Sequence, residues 1–343
     1  MDSFKIYSQS DVLSFVNQRD GETKLGEKID LYGISDSDPS SPVAISTYGL
    51  AQSNAKFVLL GIPEDIGVRA NYGIGGAKNA WNATLKAFLN IQSNSFLQGD
   101  EILLLGHFEI EEPTDERIET LREKTAVIDK LVAPIIEKII SAGKIPIVIG
   151  GGHNNAFPII SGVSKAFSTA INVVNVDAHT DLRNTAEGRH SGNGFSNAIE
   201  QGFLGQYRIF GLHQNYLNEK ISQQIQSSEN INAVFFEDFL MDDRNTTQLW
   251  VDFTADLPNP CGLEIDLDSI ENVLSSAVSP SGFKLNDIRT ILLDNKKPFS
   301  YLHICEGSIA LADGREDVTT GKTIAYLISD FIKALRPHTY PQL

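Results

Sequence analysis

Cysteine is nearly absent from this chain of 343 residues: only Cys261 and Cys305 occur, too few for a disulfide framework and spaced wrongly for a zinc ribbon. That scarcity fits a reducing, cytoplasmic setting. Basic side chains are also in short supply. The 28 Lys and Arg against 44 Asp and Glu leave a net charge of −16, which argues against nucleic acid or an anionic membrane as partner, since either needs a basic surface to displace counterions. No apolar run approaches the length that spans a bilayer, and the first residues, MDSFKIYSQSDV, lack the basic and apolar segments of a secretory signal. Linkers and internal repeats are missing too, so the 41% of hydrophobic residues can build one large core.

What is present is a series of short apolar runs separated by helical stretches. They are KFVLLGI (56 to 62), EILLLG (101 to 106), KIPIVIGG (144 to 151), INVVNVD (171 to 177), YRIFGLH (207 to 213), NAVFF (232 to 236), CGLEIDLD (261 to 268) and YLHICE (301 to 306). Continuous rather than alternating hydrophobicity marks strands buried on both faces, so the eight runs predict an α/β fold in which helices cover a parallel sheet. The clearest helix spans 114 to 142, with Thr114 as cap and Pro134 expected to kink or divide it. Others are expected near 77 to 90, 155 to 168, 214 to 226, 284 to 295 and 319 to 335. Residues 55–343 read as one domain, and 1–54 as a polar extension packed on it, with a loop at SDSDPSSP (35 to 42).

Open parallel sheets bind ligands where the C-terminal ends of the strands meet, and the polar clusters of this chain follow its strands. GGGHNNAFP (150 to 158) turns sharply on its glycines and projects His153 at that edge. In DAHTD, an extended backbone sets Asp177, His179 and Asp181 on one side. Two carboxylates and an imidazole facing one point repel and desolvate each other unless a cation lies between them. EIDLD repeats the pattern with Asp266 and Asp268, and Glu264 lies deeper on the same face. Each motif alone has a bland reading as a capped strand end. Together they offer two imidazoles and four carboxylates, a set suited to two hard or borderline ions such as Mn²⁺ rather than to a closed structural zinc site.

With LGIPEDIGVRANYGIGGA (60 to 77), HSGNGF (190 to 195), SPSGF (279 to 283) and HICEG (303 to 307) added, the chain resembles the ureohydrolases, the arginase, agmatinase and formimidoylglutamase family, over about 56 to 310. The resemblance implies a three-layer arginase-like fold, with an eight-stranded parallel sheet between helices, and two Mn²⁺ per chain. His153, Asp177, Asp181 and Asp266 would hold one ion, and Asp177, His179, Asp266 and Asp268 the other. Asp181 would orient the attacking hydroxide and take its proton, Glu306 would grip the amidine or guanidine group, and His190 would shuttle a proton to the leaving amine.

The substrate depends on the departures. Arginases carry Asn two residues after the last Asp of DxHxD, where this chain has Arg183. Formimidoylglutamate bears two carboxylates, and Arg69, Arg183 and Arg189 all follow strands and are expected at the active edge to bind them. The SGNGF loop is also more like that of formimidoylglutamases. Hydrolysis of formimidoylglutamate to glutamate and formamide is therefore expected, the alternative being a urea-releasing arginase, agmatinase or other guanidino-compound hydrolase. A one-metal zinc deacetylase would share the sheet but not need the full ligand set. The expected partner is a small molecule, with room left for a homo-oligomer.

Overall fold

The computed structural model describes residues 2–33, 45–241 and 245–336. The loop expected at 35–42 and most of the MDD turn at 241–243 lie outside them. Ten strands form one sheet: β1 (Ser3–Ile6), β2 (Asp30–Leu31), β3 (Phe57–Gly61), β4 (Ile102–Glu109), β5 (Ile145–Ile149), β6 (Ile171–Val176), β7 (Leu204–Leu212), β8 (Ile231–Phe235), β9 (Cys261–Asp266) and β10 (Tyr301–Cys305). Their order is β1-β4-β3-β5-β10-β9-β6-β7-β8, with β2 also on β4. All eight apolar runs are strands, and they pair in parallel.

The expected eight-stranded sheet is extended by two strands from the first 54 residues. β1 pairs antiparallel with Ile102–Glu109 at its far end, and β2 pairs with Leu103 and Leu104. Continuous apolar runs reveal only strands covered on both faces; β1, SFKI, alternates exposed and half-buried residues, as an edge strand does.

Successive residues of the central strands enter opposite cores. Leu59 and Val174 join the cluster containing Trp81, Phe210 and Leu327, whereas Leu60 and Val173 join the one containing Ile128, Ile160 and Phe195. Helices Ala80–Phe88, Leu285–Leu293 and Thr320–Ala334 cover the first face; Ile118–Ser141, Ala156–Phe167 and Gly194–Glu200 cover the second. That is a three-layer α/β sandwich.

The long helix starts at Ile118 rather than near Thr114, its N-cap Arg117 makes no side-chain cap, and it runs unbroken through Pro134. Pro134 is exposed. The buried stripe Leu121, Thr125, Ile128, Val132, Ile136 and Ile139 keeps the helix on the sheet despite the missing amide. The helix expected from 214 begins only at Glu219, because Gln214–Tyr216 forms a separate 3₁₀ turn. No helix among the described residues is long and apolar enough to cross a membrane.

Candidate metal centre

β5, β9 and β6 are central strands, with only β10 between β5 and β9, and being parallel they end at the same edge. After β5, Gly150 and Gly151 take φ of 88° and 73°, a left-handed pair that turns the chain so that His153 opens the next helical turn. β6 delivers Asp177 and β9 delivers Asp266, and a short extended or 3₁₀ step beyond each brings His179, Asp181 and Asp268 alongside.

The six expected ligands converge. Nδ1 of His153 lies 3.3 Å from Asp177, 3.0 Å from Asp181 and 3.1 Å from Asp266. Nδ1 of His179 lies 3.1 Å from Asp268 and 3.6 Å from Asp177. Two ligand groups result, His153 with Asp177, Asp181 and Asp266, and Asp177 with His179 and Asp268. Asp177 is common to both. Asp266 belongs to the first group and touches the second through Asp268, whose amide donates to its Oδ1 at 2.9 Å.

Electrostatics call for cations here. Burial, then Asp268 and Asp177, push the Asp266 carboxyl well above the usual range, and burial and Asp177 raise that of Asp181. Burial works against a charged His179, yet Asp268 and Asp177 outweigh it and raise its pKa. Four buried carboxylates exceed what two imidazolium ions neutralise. Both ring nitrogens of fully buried His153 and Oδ1 of Asp268 lack a hydrogen-bond partner among the described residues, so the donor set fits divalent metal.

The surrounding packing holds these ligands. Glu64, buried after β3, accepts from the amides of Ile66 (2.7 Å), Gly67 (3.2 Å) and Gly152 (3.1 Å) and from the side chains of Asn154 (3.2 Å) and Asn155 (2.7 Å). This carboxylate ties the PEDIG turn to the loop of His153. Glu264 lies beneath His153, as its place on the strand face predicts, and accepts from Tyr301 at 2.7 Å with His303 at 2.5 Å. Tyr216 stacks on His179 at 4.6 Å and on His213 at 5.5 Å. None of Glu64, Tyr216 and His213 was assigned a role from sequence. For Glu64 the signal was an acid pair, Glu64 and Asp65, directly after an apolar strand; for Tyr216 there was none. Cys261 and Cys305 are buried, free thiols, and burial pushes the Cys261 thiol up to about 12.

A cleft of about 750 Å³ opens over the cluster, lined by His179, Asp181, Asp266, Asp268 and Glu306 at its base. Asp181 and Glu306 are non-glycine residues with φ of 49° and 63°. Two strained residues at one cleft point to a constraint set by function. Glu306 accepts from the His153 amide at 2.8 Å, and burial, with repulsion from Asp268 and Asp181, pushes its carboxyl up to about 8.

The three arginines separate. Arg183 lines the cleft, exposed, with no side-chain partner among the described residues. A Cβ on Gly192 would stand 2.9 Å from its Cδ and 2.9 Å from Asn71, so the glycine of SGNGF leaves room for it. Arg69 does not line the cleft; Asp65 at 3.0 Å, Glu112 at 2.5 Å and Glu116 at 2.6 Å occupy its guanidinium. Arg189 is buried, bound to Asp129 at 2.7 Å, Asn193 at 2.6 Å and the Asn154 carbonyl at 2.8 Å. It pins the long helix to the loops of His153 and His190. The structure thus places both expected substrate binders away from the cleft, Arg69 held by Asp65 one turn before it and by Glu112 and Glu116, and Arg189 by Asp129 of the long helix.

His190 is corrected too. It is fully buried and does not line the cleft; Nδ1 accepts from the Gly192 amide at 3.2 Å, and Nε2 lies 3.3 Å from Glu187, which does line it. Burial, then the Arg122 charge, lower its pKa to about 4.

A mostly parallel sheet in this order, with carboxylates and imidazoles of three strand ends in two groups that share Asp177, defines an α/β protein whose clustered donors fit divalent cations. The arginase-family sequence profile matches residues 55–311, and the chain belongs to the arginase family. It is 30% identical to Staphylococcus epidermidis formimidoylglutamase over 185 residues, 51% of this chain and 55% of that one, and 34% identical to Salmonella heidelberg formimidoylglutamase over 132 residues, 38% of each. The chain thus spans about half the length, or less, of the curated relatives it matches. Trypanosoma cruzi formiminoglutamase with Mn²⁺ superposes with a TM-score of 0.68 at 18% identity, covering 92% of this chain and all of that one. Bacillus subtilis formimidoylglutamase gives 0.71 at 14% identity over 93% and 94%. These likenesses establish the arginase-like fold.

Proposed function

We propose that this chain hydrolyses the C–N bond of a linear amidine, formimidoylglutamate, to glutamate and formamide, with two Mn²⁺ at the strand-end cluster. The observation that carries the substrate is Arg183, an unpaired guanidinium lining a cleft whose floor is otherwise acidic. A cationic substrate such as agmatine would meet repulsion there; a carboxylate would find a bidentate partner. The relatives named formimidoylglutamase support the same reading.

His153, Asp177, Asp181 and Asp266 would hold one ion, and Asp177, His179 and Asp268, with Asp266 adjoining, the second. Bound there, a pair of divalent ions supplies Lewis acidity and makes water nucleophilic near neutral pH. The chain's own groups do the remainder. Glu306, unwilling to ionise without a cationic partner, faces the amidinium and fixes its carbon over the cluster. Asp181 takes the proton of the attacking water and returns it to the leaving amine, a task that does not need His190. Arg183 holds a substrate carboxylate at the rim. Free buried thiols suit a reducing, cytoplasmic setting, and residues 55–343 are taken as one domain with the first 54 built onto its sheet.

The test is a product assay with Mn²⁺ supplied. Formamide from formimidoylglutamate, faster than urea from arginine or agmatine, is expected; urea as the main product would replace the substrate, and no product from any of them would remove the activity.

A further inference from the structure

Besides the ligand His179, the cleft wall carries two basic side chains, Arg183 and Lys220. Arg183 follows β6. Lys220 belongs to the helix Glu219–Ser227 that follows β7, the strand paired directly with β6. The two cations thus rise from adjacent strand ends, on neighbouring parts of one rim. Both are exposed, and neither side chain has an ion pair or hydrogen bond among the described residues. Other exposed lysines, Lys86 and Lys130 among them, are equally free, but these two cations line the cleft, whereas Arg69, Lys78, Arg189 and Arg208 are claimed by carboxylates.

Lys220 is also misplaced for the helix itself. It sits in the first turn, where the peptide dipoles disfavour positive charge. Asn218, the N-cap, lines the same cleft, and its side-chain oxygen accepts from the Ile221 amide at 3.0 Å, so this helix begins at the cavity wall. A lysine set against the dipole, beside the positive end of a helix, is a poor stabiliser and a good anion receptor.

We infer that Lys220 is a specificity-determining residue that binds a second carboxylate of the substrate, so that the cleft selects dicarboxylates by a pair of cations, Arg183 and Lys220. The inference rests on the amidine-hydrolase reading above and sharpens it. The acids facing the pair are accounted for in part: Glu187 has Arg122 at 3.8 Å, and at the base Asp181, Asp266 and Asp268 belong to the ligand groups while Glu306 accepts from the His153 amide. Glu200, at the end of helix Gly194–Glu200, also lines the wall and sets the background against which an anion must bind.

The experiment uses the full-length, Mn²⁺-loaded protein and the variants Lys220→Gln and Lys220→Glu, assayed for formamide on formimidoylglutamate and on its two mono-amides, each lacking one carboxylate. Lys220→Gln should raise KM for formimidoylglutamate on the order of tenfold, with kcat changing much less, and Lys220→Glu should raise it further. On one of the two mono-amides the same variants should equal wild type, because the carboxylate that Lys220 meets is gone. Competitive inhibition by glutamate should weaken in parallel, giving a binding readout free of turnover. Equal losses on all three substrates, a fall in kcat alone, or no change would overturn the role of Lys220. Wild-type protein that fails to hydrolyse formimidoylglutamate would instead overturn the proposed function, so the two failures are distinguishable.

Discussion

The floor and the rim of the cleft were both inferred from residues that follow strands, yet they met different fates. At the floor, all six expected ligands come together in two groups that share Asp177, each imidazole 3.0 to 3.6 Å from its carboxylates. At the rim, one of three arginines faces the cavity. The difference is one of distance from the sheet. Asp177 and Asp266 stand at the ends of their strands, and His179 and Asp268 follow within two residues, so the sheet itself carries all four to one place. A long side chain on a loop goes to the strongest available partner, and in a chain of charge −16 that partner is commonly a protein carboxylate.

The largest effect should come from breaking the floor. Asp177→Asn removes the one ligand shared by both groups and should abolish activity and cut bound Mn²⁺ below two per chain, together with the rise in Tm on adding metal. Elemental analysis and thermal melts check this; full occupancy in the variant would reject the shared-ligand assignment.

Next in size is the buried arginine. Arg189→Ala strands Asp129, buried on the long helix, and should destabilise the fold by about 3–5 kcal/mol in denaturant titration. KM of the folded fraction should stay near wild type. A selective rise in KM would return Arg189 to substrate binding.

Arg183→Asn should do the reverse, leaving stability and two bound metals intact while lowering kcat/KM for formimidoylglutamate on the order of 10- to 100-fold. Activity on agmatine should be spared or improved. Loss of thermal stability instead would make Arg183 another scaffold residue.

His190 gives a smaller, pH-dependent effect. Its pKa is about 4 folded against 6.5 unfolded, so the unfolded chain binds the proton first. The stabilisation is present above pH 6.5 and is lost as pH falls toward 4. In metal-free protein, Tm of His190→Asn should fall less steeply over that window than wild type. Parallel curves would mean the imidazole is not held neutral.

Arg69→Met should matter least: Glu112 and Glu116 are exposed, and buried Asp65 keeps Lys78 at 3.6 Å, so stability should shift by about 1–2 kcal/mol and KM not at all.

The core strands were readable because double-faced burial leaves runs that are mostly apolar at both odd and even positions; β1 and β2 were not, since an edge strand of two to four residues carries too short a pattern. Glu64 was visible as an acid after β3, but its five donors come partly from residues almost ninety positions away. Likewise nothing near Tyr216 in sequence reveals that it lies between His179 and His213.

By itself the sequence determined the parallel sheet, the edge at which its polar residues gather and the six-ligand floor, because these depend on local periodicity and on backbone direction at strand ends. Only the tertiary structure decided that Arg189 and Arg69 are tied to acids, that His190 is buried beneath the Gly192 amide and that Arg183 and Lys220 stand free. A charge takes its role from the partners the whole fold brings within a few ångströms, and those partners lie far apart along the chain.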